Sequence, residues 1–294
     1  MKSVLVCLLA CLTFADPTSS GSIPGRRGQY TKAFAEWNQP IKPVRIIGNI
    51  YYVGASEVSS FLITTPKGHI LLDSGFAETV PLIVQGVNQL GFKIADIKVI
   101  INSHAHYDHA AGLAELKRLT GAQLALSEQD AALVANGGKG DFQWGETFTY
   151  EPVNSDRILK DMDRVELGGI TMTARLTPGH TKGCTTWVMK ANEEGKDYDV
   201  VFIGSATAPA YRLVDNALYP NIVSDFEYTF NLLRSLPCDV FLGPHGSFFS
   251  LKEKIAKLSQ HAKTNPFIDK SSYAKYVHRN EEDFRELLAK QQKK

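Results

Sequence analysis

The chain has 294 residues, 44% apolar and 21% charged, which excludes a disordered chain and fits one large domain or two halves sharing a core. Its 32 basic and 31 acidic residues leave a net charge of +1, so no broad field draws it to nucleic acid. Met1-Lys2 and the apolar stretch Ser3 to Phe14 are too short for a spanning helix of about 20 residues.

That stretch reads instead as an export signal over residues 1–15. Thr13-Phe-Ala15 supplies a cleavage site, and the mature protein is expected in a bacterial periplasm or outside the cell. Leu8-Leu-Ala-Cys11 also resembles a lipoprotein box, which would put a lipid on Cys11; simple export is the favoured reading. Residues 16–36 are expected to be a flexible segment, rich in Ser, Gly, Pro and Arg up to Gln29. One domain then fills residues 37–294. Its strand-like runs are Val44–Ile47, Ile50–Val53, Phe61–Thr64, Ile70–Leu72, Ile97–Ile101 and Gln123–Leu126. Helical spacing marks Thr79–Leu90, the stretch after His109, and Glu128–Ala135. A second half begins near Arg157, with strands Arg164–Leu167, Ile170–Leu176, Thr185–Met189, Val200–Ile203 and Val240–Leu242. Phe226–Ser235 and two terminal helices complete it. In the last helix Val277, Phe284, Leu287 and Leu288 share one face, the pattern of a helix packed on a core. Strands with flanking helices in both halves predict two sheets packed together with helices outside.

Five of the eight histidines fall in three short segments. Ile101-Asn-Ser-His104-Ala-His106-Tyr-Asp108-His109 is an H-x-H-x-D-H motif at a strand-to-helix turn. Pro178-Gly-His180 and Gly243-Pro-His245-Gly246 each follow a β-rich run. Imidazole and carboxylate are typical ligands of Zn²⁺. Four such side chains within six residues have little structural use otherwise. The natural grouping puts His104, His106 and His180 on one ion and Asp108, His109 and His245 on a second. Three protein ligands per ion leave a position open for water, as in catalytic zinc sites. A purely structural zinc would favour cysteine-rich sets. The isolated His69, His261 and His278 read as ordinary surface or core residues.

These segments resemble the metallo-β-lactamase superfamily along most of residues 37–288. Ile70-Leu-Leu-Asp73-Ser-Gly75 looks like its early strand and acidic turn, and the resemblance gives Asp73 the role of bracing the ligand loop. Many members carry a bridging aspartate after a strand, often as Gly-Asp. Here Asp199-Val-Val-Phe-Ile203 ends in Gly204-Ser205. That departure resembles subclass B3, as do Trp37-Asn-Gln-Pro, Asp141-Phe-Gln-Trp144-Gly, Thr177-Pro-Gly-His180 through Trp187, and Asn265-Pro-Phe-Ile-Asp269. The resemblance implies a four-layer αββα sandwich of two mixed sheets, with the metal site at one end of the sheet interface. It implies two Zn²⁺ per chain and a small-molecule β-lactam substrate. The ring amide would be hydrolysed by metal-activated water without a covalent acyl-enzyme. Asp108 would ligate the second ion and orient the nucleophile. By position, Ser205, Thr207 and Tyr211 would bind the substrate carboxylate. Some relatives pair a cysteine at the Cys238 position with one near the C-terminus, and no cysteine follows Cys238 here. Whether Cys184 reaches Cys238 stays open. No Ser-x-x-Lys motif of the serine enzymes is present. The competing readings are another metal-dependent hydrolase of the same fold, acting on lactones, thioesters or phosphodiesters, and a non-enzymatic zinc- or β-lactam-binding protein.

Overall fold

The computed structural model describes residues 26–260 and 264–293. The export segment 1–15 with its Cys11, and His261, lie outside the described residues. Helix α1 (Arg26–Trp37) occupies the second half of the segment expected to be flexible. Its ordering comes from its end. Phe34 packs on Phe76, Tyr107 and Phe148, and Trp37 meets His245 edge-on. Tertiary contact thus orders a stretch whose composition is that of a linker.

The first sheet holds seven strands in chain order: β1 (Val44–Ile47), β2 (Ile50–Tyr52), β3 (Phe61–Thr65), β4 (Gly68–Leu72), β5 (Ile97–Ile101), β6 (Gln123–Ser127) and β7 (Arg157–Leu159). β1 to β4 form an antiparallel meander, and β4 to β7 run parallel. The second sheet comprises β8 (Arg164–Leu167), β9 (Ile170–Leu176), β10 (Thr185–Glu193), β11 (Lys196–Phe202) and β12 (Val240–Leu242). Its strands are antiparallel except for β11 and β12, which pair in parallel. Both sheets are therefore mixed.

Alternation along the strands builds the layers. On β3 and β4, Phe61, Ile63, Ile70 and Leu72 face the inter-sheet core with Trp187 and Phe202, whereas Leu62 and Leu71 face the other way. That outer face is covered by α2 (Val80–Gln89), α4 (Leu113–Thr120) and α5 (Glu128–Ala135), through Ile83, Leu113, Leu116 and Val134. The short α3 (Tyr107–Ala110) precedes α4. On the far side lie α6 (Ile222–Ser235), α7 (Leu251–Ser259) and α8 (Lys270–Gln292). Phe226 and Phe230 of α6 meet Phe284 of α8. The result is a four-layer αββα sandwich. Val277 and Phe284 of α8 are buried, and Leu287 and Leu288 pack against the same core. Cys184 is buried, Cys238 is half-buried, and they are not bonded to each other. Among the described residues no helix is long and apolar enough to cross a membrane.

Candidate metal centre

The site begins where β5 ends. Asp73 follows β4 in a left-handed conformation, φ 66°, and its N–H donates to Ile101 O at 3.0 Å. Its Oδ1 accepts from Asn102 Nδ2 at 2.7 Å and from Ser103 N at 2.6 Å, immediately before His104, the first candidate ligand. Burial pushes this carboxyl up to about 6, against the pull of His109 and Ser103. Asn102 Nδ2, Ser74 N and Ser74 Oγ all donate to His109 O, which pins α3 at the end of the sheet.

The motif then fans out. His106 is extended and precedes α3, while Asp108 and His109 sit in its single turn. His180 arrives from the β9–β10 loop and His245 from the loop after β12. His106 Nδ1 lies 3.2 Å from His180 Nε2. The ligand-type atoms of His104, His106 and His180 all lie within 4.8 Å of one another. The second triplet is tighter. Asp108 Oδ2 is 3.2 Å from His109 Nε2 and 3.5 Å from His245 Nε2, and the two Nε2 atoms are 3.2 Å apart. Donors on a tetrahedral zinc, about 2.0–2.1 Å from the ion, stand roughly 3.3–3.4 Å from each other. The triangle therefore matches a zinc coordination face. The His104 and His109 rings, 4.4 Å apart, set the two triplets side by side.

At four of the six candidate ligands the shifts favour the unprotonated form that a metal ligand needs. Burial and the neighbouring rings hold His104 and His180 well below the ordinary imidazole range. Burial, with His109 beside it, lowers His245 to about 3. Burial would raise Asp108, yet His109 and His245 outweigh it and keep the carboxylate well below its ordinary value. For His106 burial lowers, but Asp141 outweighs it and holds the ring above its usual value.

Residue matches with known proteins bear on this arrangement. The Metallo-beta-lactamase superfamily pattern matches residues 53–245. This chain belongs to that superfamily. Among solved structures, the native FEZ-1 metallo-β-lactamase from Legionella gormanii is 43% identical, over 87% of this chain and 98% of that one, with a TM-score of 0.85. BJP-1 of Bradyrhizobium japonicum, a subclass B3 metallo-β-lactamase, is 39% identical over 88% and 98%, with a TM-score of 0.84. Among curated proteins, human persulfide dioxygenase ETHE1 is 27% identical over 130 residues, and the N-acyl homoserine lactonase AttM of Azorhizobium caulinodans is 25% identical over 162. The chain spans only 39% and 61% of those two proteins. The chain therefore resembles the subclass B3 enzymes along nearly its whole fold.

The three residues expected to bind a substrate carboxylate cluster around His180. Thr207 O lies 2.8 Å from His180 Nδ1, Thr207 Oγ1 3.2 Å and the Tyr211 hydroxyl 3.3 Å. Tyr211 OH also donates to His180 O at 2.9 Å. Ser205 Oγ contacts Thr207 Oγ1 at 3.2 Å. Tyr211 and Ser205 are buried, and Thr207 is half-buried. Sequence spacing placed them near the site but could not give the direction of their hydroxyls. Phe248 and Phe249, adjacent in sequence, also separate. Phe248 meets the His245 ring at 5.0 Å, whereas Phe249 is core, against Phe61 and Phe267. His69 is buried against Phe92, and His278 is exposed, both away from the centre.

The sequence reading missed three carboxylates. Asp130, in the first turn of α5, accepts from Ala105 N at 2.9 Å, Thr181 Oγ1 at 2.9 Å and Gly183 N at 3.0 Å. It ties the His104-x-His106 segment to the His180 segment. A Cβ on Gly183 would strike the backbone and carboxylate of Asp130, so glycine is what permits the approach. Asp141 faces His106. Glu57 lies 3.9 Å from His245 Nδ1 and accepts from Ser247. A first-turn acid or a loop acid carries no sequence mark of burial, and only the fold reveals these roles.

Proposed function

We propose that this chain is a zinc-dependent β-lactam hydrolase that holds two Zn²⁺ and opens the lactam amide with water, without a covalent acyl-enzyme. The observation that carries the reading is the ligand set: two triplets of donors with Asp108 as their one carboxylate, and Ser205 where a bridging aspartate would stand. The names of FEZ-1 and BJP-1, alike over almost the whole chain, support the substrate class.

Bound zinc supplies a water ionised near neutral pH and a Lewis acid for the lactam carbonyl. The chain's own residues do the positioning. His104, His106 and His180 would hold one ion, and Asp108, His109 and His245 the other. Thr207 O keeps the His180 proton on Nδ1, so Nε2 is free to face inward. Asp108, kept ionised by His109 and His245, orients the attacking water. Trp37 and Phe248 flank His245, and Trp144 stands edge-on to His106, giving apolar walls that limit water. Thr207, half-buried, offers a hydroxyl to a substrate carboxylate in addition to its hold on His180. On the strength of residues 1–15 we place the mature protein in the periplasm or outside the cell.

The test is hydrolysis of a chromogenic cephalosporin and a carbapenem by zinc-loaded protein, with and without a chelator. Chelator-sensitive turnover is the expected result. Bound zinc without turnover of either would overturn the substrate and move the reading to lactones, thioesters or phosphodiesters, for which the lactonase is a partial relative.

A further inference from the structure

The glycine-rich break after α5, Asn136-Gly-Gly-Lys-Gly140, opens a loop that passes the centre at Trp144 and returns at Tyr150. Gly137 and Gly138 are both left-handed, φ 64° and 79°, and together they make a seat for Tyr150. Tyr150 N donates to Gly137 O at 3.0 Å, and a Cβ on Gly137 would come within 2.5 Å of Tyr150 O. A Cβ on Gly138 would come within 2.7 Å of the Tyr150 ring. From this seat the half-buried side chain delivers its hydroxyl to one acceptor. Tyr150 OH donates to Ala105 O at 2.7 Å. Among the described residues nothing else donates to that oxygen.

Ala105 separates His104 from His106 and is only 1% exposed. Its φ and ψ are the two soft dihedrals between the peptide planes on either side of it. They set the directions in which the two histidines leave the backbone. The plane on the His104 side carries Ala105 N, which donates to Asp130 Oδ2 at 2.9 Å. The plane on the His106 side carries Ala105 O, which Tyr150 holds. A carboxylate from α5 and a phenol from the end of the loop therefore fix one plane each. The His104 and His106 rings that result stand 5.0 Å apart at 87°, and each meets the His180 ring edge-on, at 4.6 and 4.7 Å.

We propose that Tyr150 is a positioning residue for the three-histidine site: its hydroxyl fixes the Ala105–His106 peptide, and with it the angle at which His106 meets His104 and His180. Phenylalanine at 150 would keep the ring in its glycine seat and lose only the hydrogen bond. Ala105 O would then be buried without a donor, and its peptide would rotate toward one. His106 would turn with it. The inference rests on metal binding at the centre and not on a β-lactam being the substrate.

The test compares Tyr150→Phe with Tyr273→Phe, and it needs no turnover. The Tyr273 hydroxyl makes the same kind of bond, to Leu233 O at 2.8 Å, where α8 meets α6 on the far side of the molecule. Its loss reports what removing such a bond does to stability alone. Two readouts are taken: zinc affinity by chelator competition, and the visible d–d bands of the cobalt-substituted protein, which follow coordination geometry. Tyr150→Phe should bind the zinc of the three-histidine site roughly tenfold more weakly, the scale of one hydrogen bond, and should shift the cobalt bands. Tyr273→Phe should match wild type in both. Wild-type zinc affinity and wild-type cobalt bands in Tyr150→Phe would overturn the proposal. So would equal changes in Tyr273→Phe, because the effect would then be one of general stability. If Tyr150→Phe does not fold, Gly138→Ala takes its place: its methyl displaces the Tyr150 ring, and the same changes are expected, with wild-type values again overturning the proposal. Wild-type protein that takes up neither zinc nor cobalt would overturn the metal reading itself, and this inference with it.

Discussion

Asp130 is the side chain whose loss should be most informative about how the centre is held. It is 3% exposed, and three donors converge on it: Ala105 N, Thr181 Oγ1 and Gly183 N. Asp130→Ala strands two buried N–H groups and one hydroxyl. Each stranded buried donor costs about 1–3 kcal/mol, and the hydroxyl can partly rescue itself by rotation, so about 4 kcal/mol is expected in total. Asp130→Asn is milder. With its amide nitrogen at the Oδ1 position it loses only Gly183 N. With the nitrogen at Oδ2 it loses Ala105 N, while the Thr181 hydroxyl can turn to accept. Either way one donor is stranded, for about 2 kcal/mol. Denaturant unfolding of the metal-free proteins reads both numbers without interference from zinc. The same variants should bind zinc more weakly at the three-histidine site, because Ala105 and Thr181 adjoin His104, His106 and His180. An Asp130→Ala cost below about 1 kcal/mol would refute the reasoning, since the donors would then have found other partners.

Other predictions concern the ions and the rings that bind them. His104→Ala should weaken one zinc equivalent by at least about 100-fold in chelator competition, and two equivalents at wild-type affinity would refute the grouping. Stripping metal should lower the melting temperature, because an ion held at 100-fold its Kd adds about 2.7 kcal/mol per site; equal melting of stripped and loaded protein would count against a native-state site. The metal-free protein should lose stability on acidification through His245. Burial and His109 hold its ring at about 3 in the folded chain, so between roughly pH 6.5 and 3 the unfolded chain binds a proton that the native chain does not. Stability from this ring is thus present at neutral pH and lost as pH falls through that window. Between pH 7.5 and 5 the wild type should lose about 2 kcal/mol relative to His245→Gln, from urea midpoints at each pH, and a constant difference would refute it.

Much of the architecture was legible because period and punctuation agreed. β5, β8, β9, β12 and α5 run over the residues the pattern marks. The start of β11 was not legible: Lys196-Asp-Tyr-Asp is a charged hairpin edge, strand only because β10 pairs with it. Helix α1 was hidden for a related reason, since it has no continuous apolar face and is anchored by Phe34 and Trp37 at its end. The convergence of the candidate ligands was legible because coordination would restrict residue type and spacing together. Their braces were not, because an aspartate in a helix's first turn looks the same in sequence whether water or three N–H and O–H donors surround it.

The placement of the candidate ligands explains why so many buried braces are needed. His104, His106, Asp108 and His109 hang from the end of β5 in the first sheet. His180 and His245 come from loops of the second sheet, after β9 and β12. Each triplet therefore spans the sheet interface. Its geometry is sound only if the two sheets hold register at this end. The contacts found here serve that need: Asp130 joins the His104-x-His106 segment to Thr181 and Gly183, Trp187 Nε1 donates across the interface to Asn102 O at 3.0 Å, and Ser59 N donates to Pro244 O at 2.8 Å beside His245. An ion in each triplet would add a bond across the same interface. Metal binding and sheet packing are in this way the same structural problem. Weakening a brace should accordingly lower stability and zinc affinity together, whereas removing one ligand should leave the sheet contacts in place and change affinity most.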